Sequence, residues 1–243
     1  MQVLRQEKRV SIAQICQLLS VSEATARRDL EARAQQGHVR RVHGGAIALT
    51  IAPPEPPLAS RAKQQADEKR RIGEKAAELV ADGDTIFLGS GTTVAQVVKF
   101  LHGRRDLTVV TNSLLIMQTL GHDESVTLIG LGGLYRSREM SFVGHLTEQA
   151  LAELRVDKVI MGVRAIDIAH GLTNDFLPET QTDRAILKIG RQIILVADHT
   201  KCARFSTVFL APVTAIQVLV TDQETPQDFI TELSGRGVQI VAV

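Results

Sequence analysis

Seven short apolar runs between Thr85 and Val243 constrain the fold of this chain more than any other feature. They span 85–88, 107–110, 126–131, 158–163, 192–197, 216–220 and 238–243. Several are nearly continuous in Val, Ile and Leu, the pattern of strands buried on both faces. Helical patterns alternate with them: 67–81, with Ile72, Ala76, Leu79 and Val80 on one face, then 93–101, 114–120, 146–154 and 180–189. The alternation predicts an α/β body, a mostly parallel sheet flanked by helices. In such sheets ligands bind beyond the carboxyl ends of the strands, so the loops after these runs are where a site is expected.

A chain of 243 residues has room for one large domain and one small one. Four of its seven prolines fall within 50–60, TIAPPEPPLAS. A Pro-rich run stays extended and semi-rigid, so it predicts a linker between a head, 1–49, and a body, 61–243. Net charge is only +1, yet residues 1–50 carry eight Lys/Arg against four Asp/Glu, while the rest carries 20 against 23. A basic head on a mildly acidic body suits phosphate-backbone binding by the head. Aromatic residues make up 3%, which argues against single-stranded nucleic acid recognised by base stacking. Cys16 and Cys202 lie far apart without a CxxC pair, so neither disulfide nor zinc is expected, and no cofactor or metal is. No apolar run approaches the roughly 20 residues that span a bilayer, and no signal-peptide layout opens the chain, so the expected location is cytoplasmic.

Within the head, Ser11-Ile12-Ala13-Gln14 has the spacing of a capping box and starts a helix with Ile12, Ile15, Cys16 and Leu19 inward. Ser22 can cap a second helix, on which Ala24 and Leu30 can pack. Arg27-Arg28 on that helix, then Arg40-Arg41 and the Gly44-Gly45 turn, give the layout of a winged helix-turn-helix. Glu23, Thr25 and Ala26, near the helix start, are the candidates for reading base edges. Arg27 and Arg28 are candidates for phosphates, with a guanine contact as the alternative, and Arg40, Arg41, His43 and Gly44 form a basic wing for the flanking backbone, with Ser22 at the helix start. The partner so implied is a double-stranded DNA operator. Such dimers match palindromic sites, so self-association into a homo-oligomer is expected.

In the body, Gly89-Ser90-Gly91-Thr92-Thr93 follows the first run and precedes a helical pattern. Glycines such as those flanking Ser90 let the backbone approach an anion, and the hydroxyls of Thr92 and Thr93 add donors. No Gly-Lys-Ser/Thr follows and no GxGxxG stands here, so a small phosphorylated molecule fits better than a nucleotide. Other run ends supply compatible groups: Thr111 and Asn112, Gly132 and Gly133 with Arg136, Arg164 and Asp167, and Lys201. Lys201 would set a point charge near a phosphate, and Asp167 or Glu179 could accept sugar hydroxyls. Cys202 beside His199 reads as a small buried hydrophobe rather than a reactive thiol.

VSEATARRDL…GHVRRVHGGA, from Val21 to Ala46, resembles the N-terminal signature of the DeoR/GlpR family of bacterial transcriptional regulators. GSGTT is similar to that family's D-S-G-T-T loop, TNS to its T-N loop, and DHTK at Asp198 to its D-x-S-K motif. The resemblance implies a winged head joined to a sugar-phosphate-sensing domain of a fold shared with ribose-5-phosphate isomerases and CoA transferases. It implies a phosphorylated sugar as effector, with these loops as its pocket, and a repressor of carbohydrate genes. Four departures stand out: Met1 falls inside the family's first helix, Arg33 occupies a usual leucine position, Gly89 replaces an aspartate, and Cys202 an aromatic residue. The first two should weaken the head's packing. Two alternatives remain open: an isomerase using the same loops, and a metabolite-binding oligomerisation module whose head no longer grips DNA. Against the first, residues 162–167, GVRAID, hold one carboxylate where enediol chemistry needs a base and an acid.

Overall fold

A computed structural model describes residues 9–35, 39–42, 44–48, 50–52 and 55–243. The chain divides into two compact units, Met1–Ile51 and Ala52–Val243.

In the first unit β1 (Arg9–Ser11) leads into α1 (Ile12–Leu19). Ser11 Oγ accepts from the Gln14 amide at 3.1 Å while Gln14 Oε1 accepts from the Ser11 amide at 2.8 Å, so the capping box forms. Ser20 ends α1 in the left-handed conformation. The second helix, α2 (Glu23–Gln35), starts where Ser22 Oγ accepts from the Thr25 amide at 3.3 Å. Then β2 (Val39–Val42) and β3 (Gly45–Ala48) form a hairpin, and β3 also pairs with β1. Gly44, at φ +83°, makes the turn, and a Cβ on Gly45 would lie 2.2 Å from the Val10 carbonyl oxygen. Both positions need glycine. Val10, Ile12, Ile15, Ala26, Leu30, Val39 and Ala46 fill the small core. The short β4 (Thr50–Ile51) closes the unit.

Two sequence expectations change here. Ala26, not Ala24, packs inward, because the buried stripe repeats every fourth residue through Ala26 and Leu30 to Ala34, leaving Ala24 exposed. Leu19 is exposed as well; Ile12 and Ile15 carry the inner face of α1 with a half-buried Cys16. The residues before Arg9, His43 and the Arg33 side chain lie outside the described ones.

The second unit begins with the short α3 (Leu58–Arg61), then α4 (Ala66–Glu78), β5 (Thr85–Leu88), α5 (Val94–Val98), β6 (Leu107–Thr111), α6 (Leu114–Leu120) and β7 (Val126–Gly130). A hairpin of β8 (Leu134–Arg136) and β9 (Ser141–Val143) precedes α7 (His145–Ala152), β10 (Val156–Met161), β11 (Ala165–Asp167) and β12 (Gly171–Asn174). The chain finishes with α8 (Leu177–Ile189), β13 (Gly190–Val196), β14 (Arg204–Phe205), β15 (Val208–Ala211), β16 (Val218–Thr221), α9 (Gln227–Ser234) and β17 (Gln239–Ala242).

All seven apolar runs become strands of one parallel sheet, in the order β17-β16-β13-β10-β5-β6-β7. Alternate side chains serve opposite faces, which is why several of the runs are nearly continuous in Val, Ile and Leu. Phe87, Val159, Met161, Ile193 and Leu195 pack on one side with Leu151 of α7, Ile186 of α8 and Phe229 of α9. Ile86, Leu88, Ile160, Ile194 and Val196 pack on the other with Ile72 of α4, Val97 of α5 and Ile116 of α6. A small antiparallel sheet, β11-β12-β15, lies outside the main one. The latter part of the Pro-rich run belongs to this unit: Leu58 is buried and its amide donates to the Arg138 carbonyl at 3.0 Å.

Candidate functional site

The chain leaves β5 outward through β6 and β7, then returns to β10 and runs the other way through β13, β16 and β17. Strand order therefore reverses between β5 and β10, and connections after neighbouring strands part there to leave a crevice. A cleft of about 700 Å³ opens at that point. Gly89, Ser90, Gly91, Thr92 and Thr93 line it after β5, Gly162 and Arg164 after β10, and Asp198 and Lys201 after β13. Gly91 has φ +120°, a conformation open to glycine alone, and it turns the loop. The amides of Ser90, Gly91, Thr92 and Thr93 make no hydrogen bond with a described residue. With α5 only five residues long, its dipole adds little; the charge of the site comes from side chains.

Those side chains are arranged around Glu55. Its Oε1 accepts from Arg61 Nη1 at 2.8 Å and from Lys201 Nζ at 2.7 Å, and Arg164 Nη1 stands 3.6 Å away. Arg61 Nη2 also pairs with Glu139, whose Oε1 is buried without a hydrogen-bond partner among the described residues. Lys69, on the inner face of α4, donates to the carbonyls of Arg61 at 2.9 Å and Gln64 at 2.5 Å and forms no ion pair with a described residue. Its burial lowers its pKa, partly opposed by the nearby Asp198 carboxylate. Asp198 caps the short 3-10 turn that presents Lys201, accepting from the Thr200 amide at 3.0 Å.

The cleft also carries acidic residues. Glu179, the first-turn carboxylate of α8, pairs with Arg136. Burial pushes Glu179 up to about 7, with Arg136 opposing and Glu139 adding to the rise. Burial likewise raises Asp183, which accepts from Asn174 Nδ2 at 2.7 Å, and Glu139. The cations and free amides can hold an anionic group, while Glu179 and Asp183 can meet hydroxyls.

Of the residues expected in this pocket, Gly89, Ser90, Gly91, Thr92, Thr93, Arg164, Glu179 and Lys201 line the cleft. Thr111, Asn112, Gly132, Gly133, Arg136 and Asp167 do not. Thr111 Oγ1 donates to the Leu88 carbonyl at 2.7 Å, and Asn112 Nδ2 to the Phe142 carbonyl at 2.9 Å, so these ends of the sheet are occupied in holding its own edges. The Gly132 carbonyl accepts from Thr147 Oγ1 at 2.8 Å, and a Cβ on Gly133 would collide with that same oxygen. Arg136 reaches the cleft through its ion pair with Glu179 and also lowers, against burial, the pKa of the lining carboxyls Glu139 and Asp183. Asp167 is fully buried and braces the β11–β12 turn, accepting from the amides of Ala169 and His170 at 2.9 Å each. Sequence reasoning did not find Glu55, Arg61, Lys69, Glu139 and Asp183. For Lys69 a signal existed: it lies three and seven residues before Ile72 and Ala76, on their face. Cys202 is buried, and its thiol is pushed up to about 12 by that burial. Among the described residues no group of His, Cys, Asp and Glu could hold a metal ion, and no helix is long and apolar enough to cross a membrane.

In the head, Ser22, Glu23, Thr25, Arg27, Arg28 and Gly44 are exposed. Arg27 Nη2 reaches Glu23 Oε1 at 3.3 Å, both in water. Ala26 is fully buried in the head's core and so has no side chain to offer a base edge. Arg40 and Arg41 lie on β2, their side chains outside the described ones, as is His43.

Comparison with known proteins places these features. The chain is 36% identical over 225 residues to the transcriptional repressor AccR of Agrobacterium fabrum, covering 92% of this chain and 87% of that protein. It is 34% identical to the HTH-type transcriptional repressor GlcR of Bacillus subtilis, covering 98% and 92%, and 33% identical to the glycerol-3-phosphate regulon repressor of Escherichia coli, covering 98% and 94%. Likeness to solved structures is partial. Ribose 5-phosphate isomerase A of Methanocaldococcus jannaschii is 17% identical with a TM-score of 0.42, covering 57% of this chain and 55% of that one. The translation initiation factor eIF-2B of Pyrococcus horikoshii is 14% identical with a TM-score of 0.46, covering 66% and 64%. Neither likeness bears on function. A DeoR-like helix-turn-helix domain matches residues 1–52 and a DeoR C terminal sensor domain matches residues 64–223, and the chain belongs to the DeoR family of transcriptional regulators.

Proposed function

We propose that this regulator represses carbohydrate-metabolism genes and that a phosphorylated sugar, held in the cleft, sets its grip on the operator. The observation that carries this reading is the convergence of Arg61, Arg164 and Lys201 beside the uncommitted amides of Ser90 to Thr93. A phosphate needs that combination of charge and donors. Glu179 and Asp183, which also line the cleft, would meet hydroxyls of the sugar. One relative is named as the repressor of a glycerol-3-phosphate regulon, a name that carries a small phosphorylated molecule. Turnover is not part of this reading: the relatives are named as repressors, and Asp167 lies away from the cleft.

The head would read DNA through Glu23 and Thr25, with Arg27, Arg28, Arg40 and Arg41 on phosphates. Two heads in a homo-oligomer would match a palindromic operator. The ligand acts only by binding one arrangement of the assembly better than the other. The test is to select operator DNA from a random pool with the purified full chain, then measure its affinity with and without phosphorylated sugars and amino sugars. One of them should change DNA affinity at least about fivefold. No change with any, at concentrations that saturate the cleft, would overturn the reading.

A further inference from the structure

Glu55 sits where a ligand's anionic group would be expected. Its carboxylate is the shared partner of Arg61, Lys201 and Arg164, at 2.8, 2.7 and 3.6 Å. All three cations line the cleft, and so does Glu55. The Arg61, Lys201 and Glu55 side chains are only 11%, 16% and 13% exposed, so little water competes for these interactions. Glu55 does not come from the sheet or its loops. It precedes α3 and stands four residues beyond Ile51, the last residue of the head's unit.

We propose that Glu55 is a built-in competitor: its carboxylate occupies the anion subsite of the empty cleft, and an incoming phosphate must take Arg61, Lys201 and Arg164 from it. The proposal rests on the reading of the cleft as a phosphorylated-ligand site. A dianionic phosphate offers more charge and more acceptor oxygens than one carboxylate, so it can win the same three cations. Once Glu55 is displaced, the segment loses its charged anchor and keeps these ties: the Ala52 amide to the Phe205 carbonyl at 2.8 Å, the Glu55 amide to Asp175 Oδ2 at 3.1 Å, Arg138 Nη2 to the Glu55 carbonyl, the Leu58 amide to the Arg138 carbonyl at 3.0 Å, Arg61 to Glu139, and Lys69 to the Arg61 carbonyl at 2.9 Å. Ligand capture thereby loosens the stretch of chain that leads back to the head. A site blocked most of the time by its own side chain shows an apparent affinity reduced by the open fraction.

The test uses the full chain, inorganic phosphate as probe at pH 8, and Glu55→Gln, which keeps shape and removes charge. Ligand-free Glu55→Gln should melt lower, because three cations lose their common partner. It should bind phosphate about tenfold or more tightly than the wild type, as expected if the carboxylate fills the subsite nine-tenths of the time or more. In the wild type, phosphate should speed amide hydrogen exchange over residues 55–61. A carboxylate that merely props the wall would give the lower melting point with equal or weaker phosphate binding, and that result overturns the proposal while leaving the cleft an anion site. Unchanged exchange over 55–61 on phosphate binding overturns it also. No phosphate binding by either protein would remove the anion site itself. If Glu55→Gln does not fold, Glu55→Asp, which draws the charge back by one methylene, should show the same tighter binding to a smaller degree, and equal or weaker binding would count against the proposal.

Discussion

Gly89 and Met161 meet where the sheet changes direction: the Gly89 amide donates to the Ile160 carbonyl at 3.0 Å, and a Cβ on Gly89 would lie 3.3 Å from Met161 Cβ. The loop after β5 is thereby held against the end of β10, and the cleft forms between their continuations. Two glycines of this loop have different reasons to be glycine. Gly89 has ordinary backbone angles and only a tight neighbour, so Gly89→Ala should fall within about 1 kcal/mol of the wild type. Gly91, at φ +120°, admits no side chain without strain, and Gly91→Ala should cost about 1–3 kcal/mol. Urea unfolding of the two variants checks this, and equal losses would contradict it.

Glu179 gives the stability of the body a pH dependence of definite sign. Its folded pKa is raised from 4.5 to about 7, by burial first, against the pull of Arg136 and with Glu139 and Glu55 adding to the rise. Between these values the folded chain keeps a proton that the unfolded chain has released. Stability therefore falls as pH rises from about 4.5 to about 7 and levels off above. Asp183 and Glu139, raised in the same direction, keep part of the slope. Melting temperature followed across this window should decline less steeply in Glu179→Gln than in the wild type; parallel curves would refute the assignment.

Packing and recognition should separate cleanly in the head. Leu30 is 4% exposed in the small core, and Leu30→Ala should cost about 2–5 kcal/mol, a large share of what so small a unit has. Arg27 and Arg28 are in water, and the Arg27–Glu23 pair contributes a few tenths of a kcal/mol at most. Arg27→Ala or Arg28→Ala should leave the fold intact and weaken DNA binding. Each DNA phosphate that a variant no longer neutralises should lower the slope of log affinity against log salt by about one. Unchanged affinity and slope in both variants would exclude the helix from the DNA interface.

Cys202 should be chemically silent. With its thiol raised to about 12, almost none is thiolate at neutral pH. Iodoacetamide at pH 8 should modify the folded protein at Cys16, half-buried on α1, well before Cys202. Mass spectrometry of the alkylated peptides decides this, and equal labelling would show that Cys202 is accessible.

The parallel sheet was legible because strands covered on both faces announce themselves: 193–197 is apolar with no alternation, and most of it lies in β13, between two layers of helices. Helix α9 was not, since only Phe229 and Leu233 of its eight residues face the core. The short strands of β11-β12-β15 have too few residues to show a period. In the head, a difference of two positions separates Ala24 from Ala26, and only the packing of Leu30 and Ala34 chooses between them. The site followed the same division. Gly89 to Thr93, Arg164 and Lys201 follow strands, and a general rule about strand ends finds them. That rule overreached at Thr111, Asn112, Gly132, Gly133 and Asp167, where the groups hold the sheet's edge or a turn instead of facing the crevice. Glu55 and Arg61 could not be found that way, because their place depends on how the end of a Pro-rich stretch, read as a semi-rigid linker, lies against the body.

The cleft as a seat for a phosphorylated sugar is tested most directly by thermal unfolding of the full chain against a panel of phosphorylated sugars and their unphosphorylated counterparts, in the wild type and in Lys201→Ala. A true ligand at 100 times its Kd should add about 2.7 kcal/mol of stability. That gain should need the phosphate and largely vanish in Lys201→Ala. Stabilisation that is the same without the phosphate, or unchanged in Lys201→Ala, would contradict it.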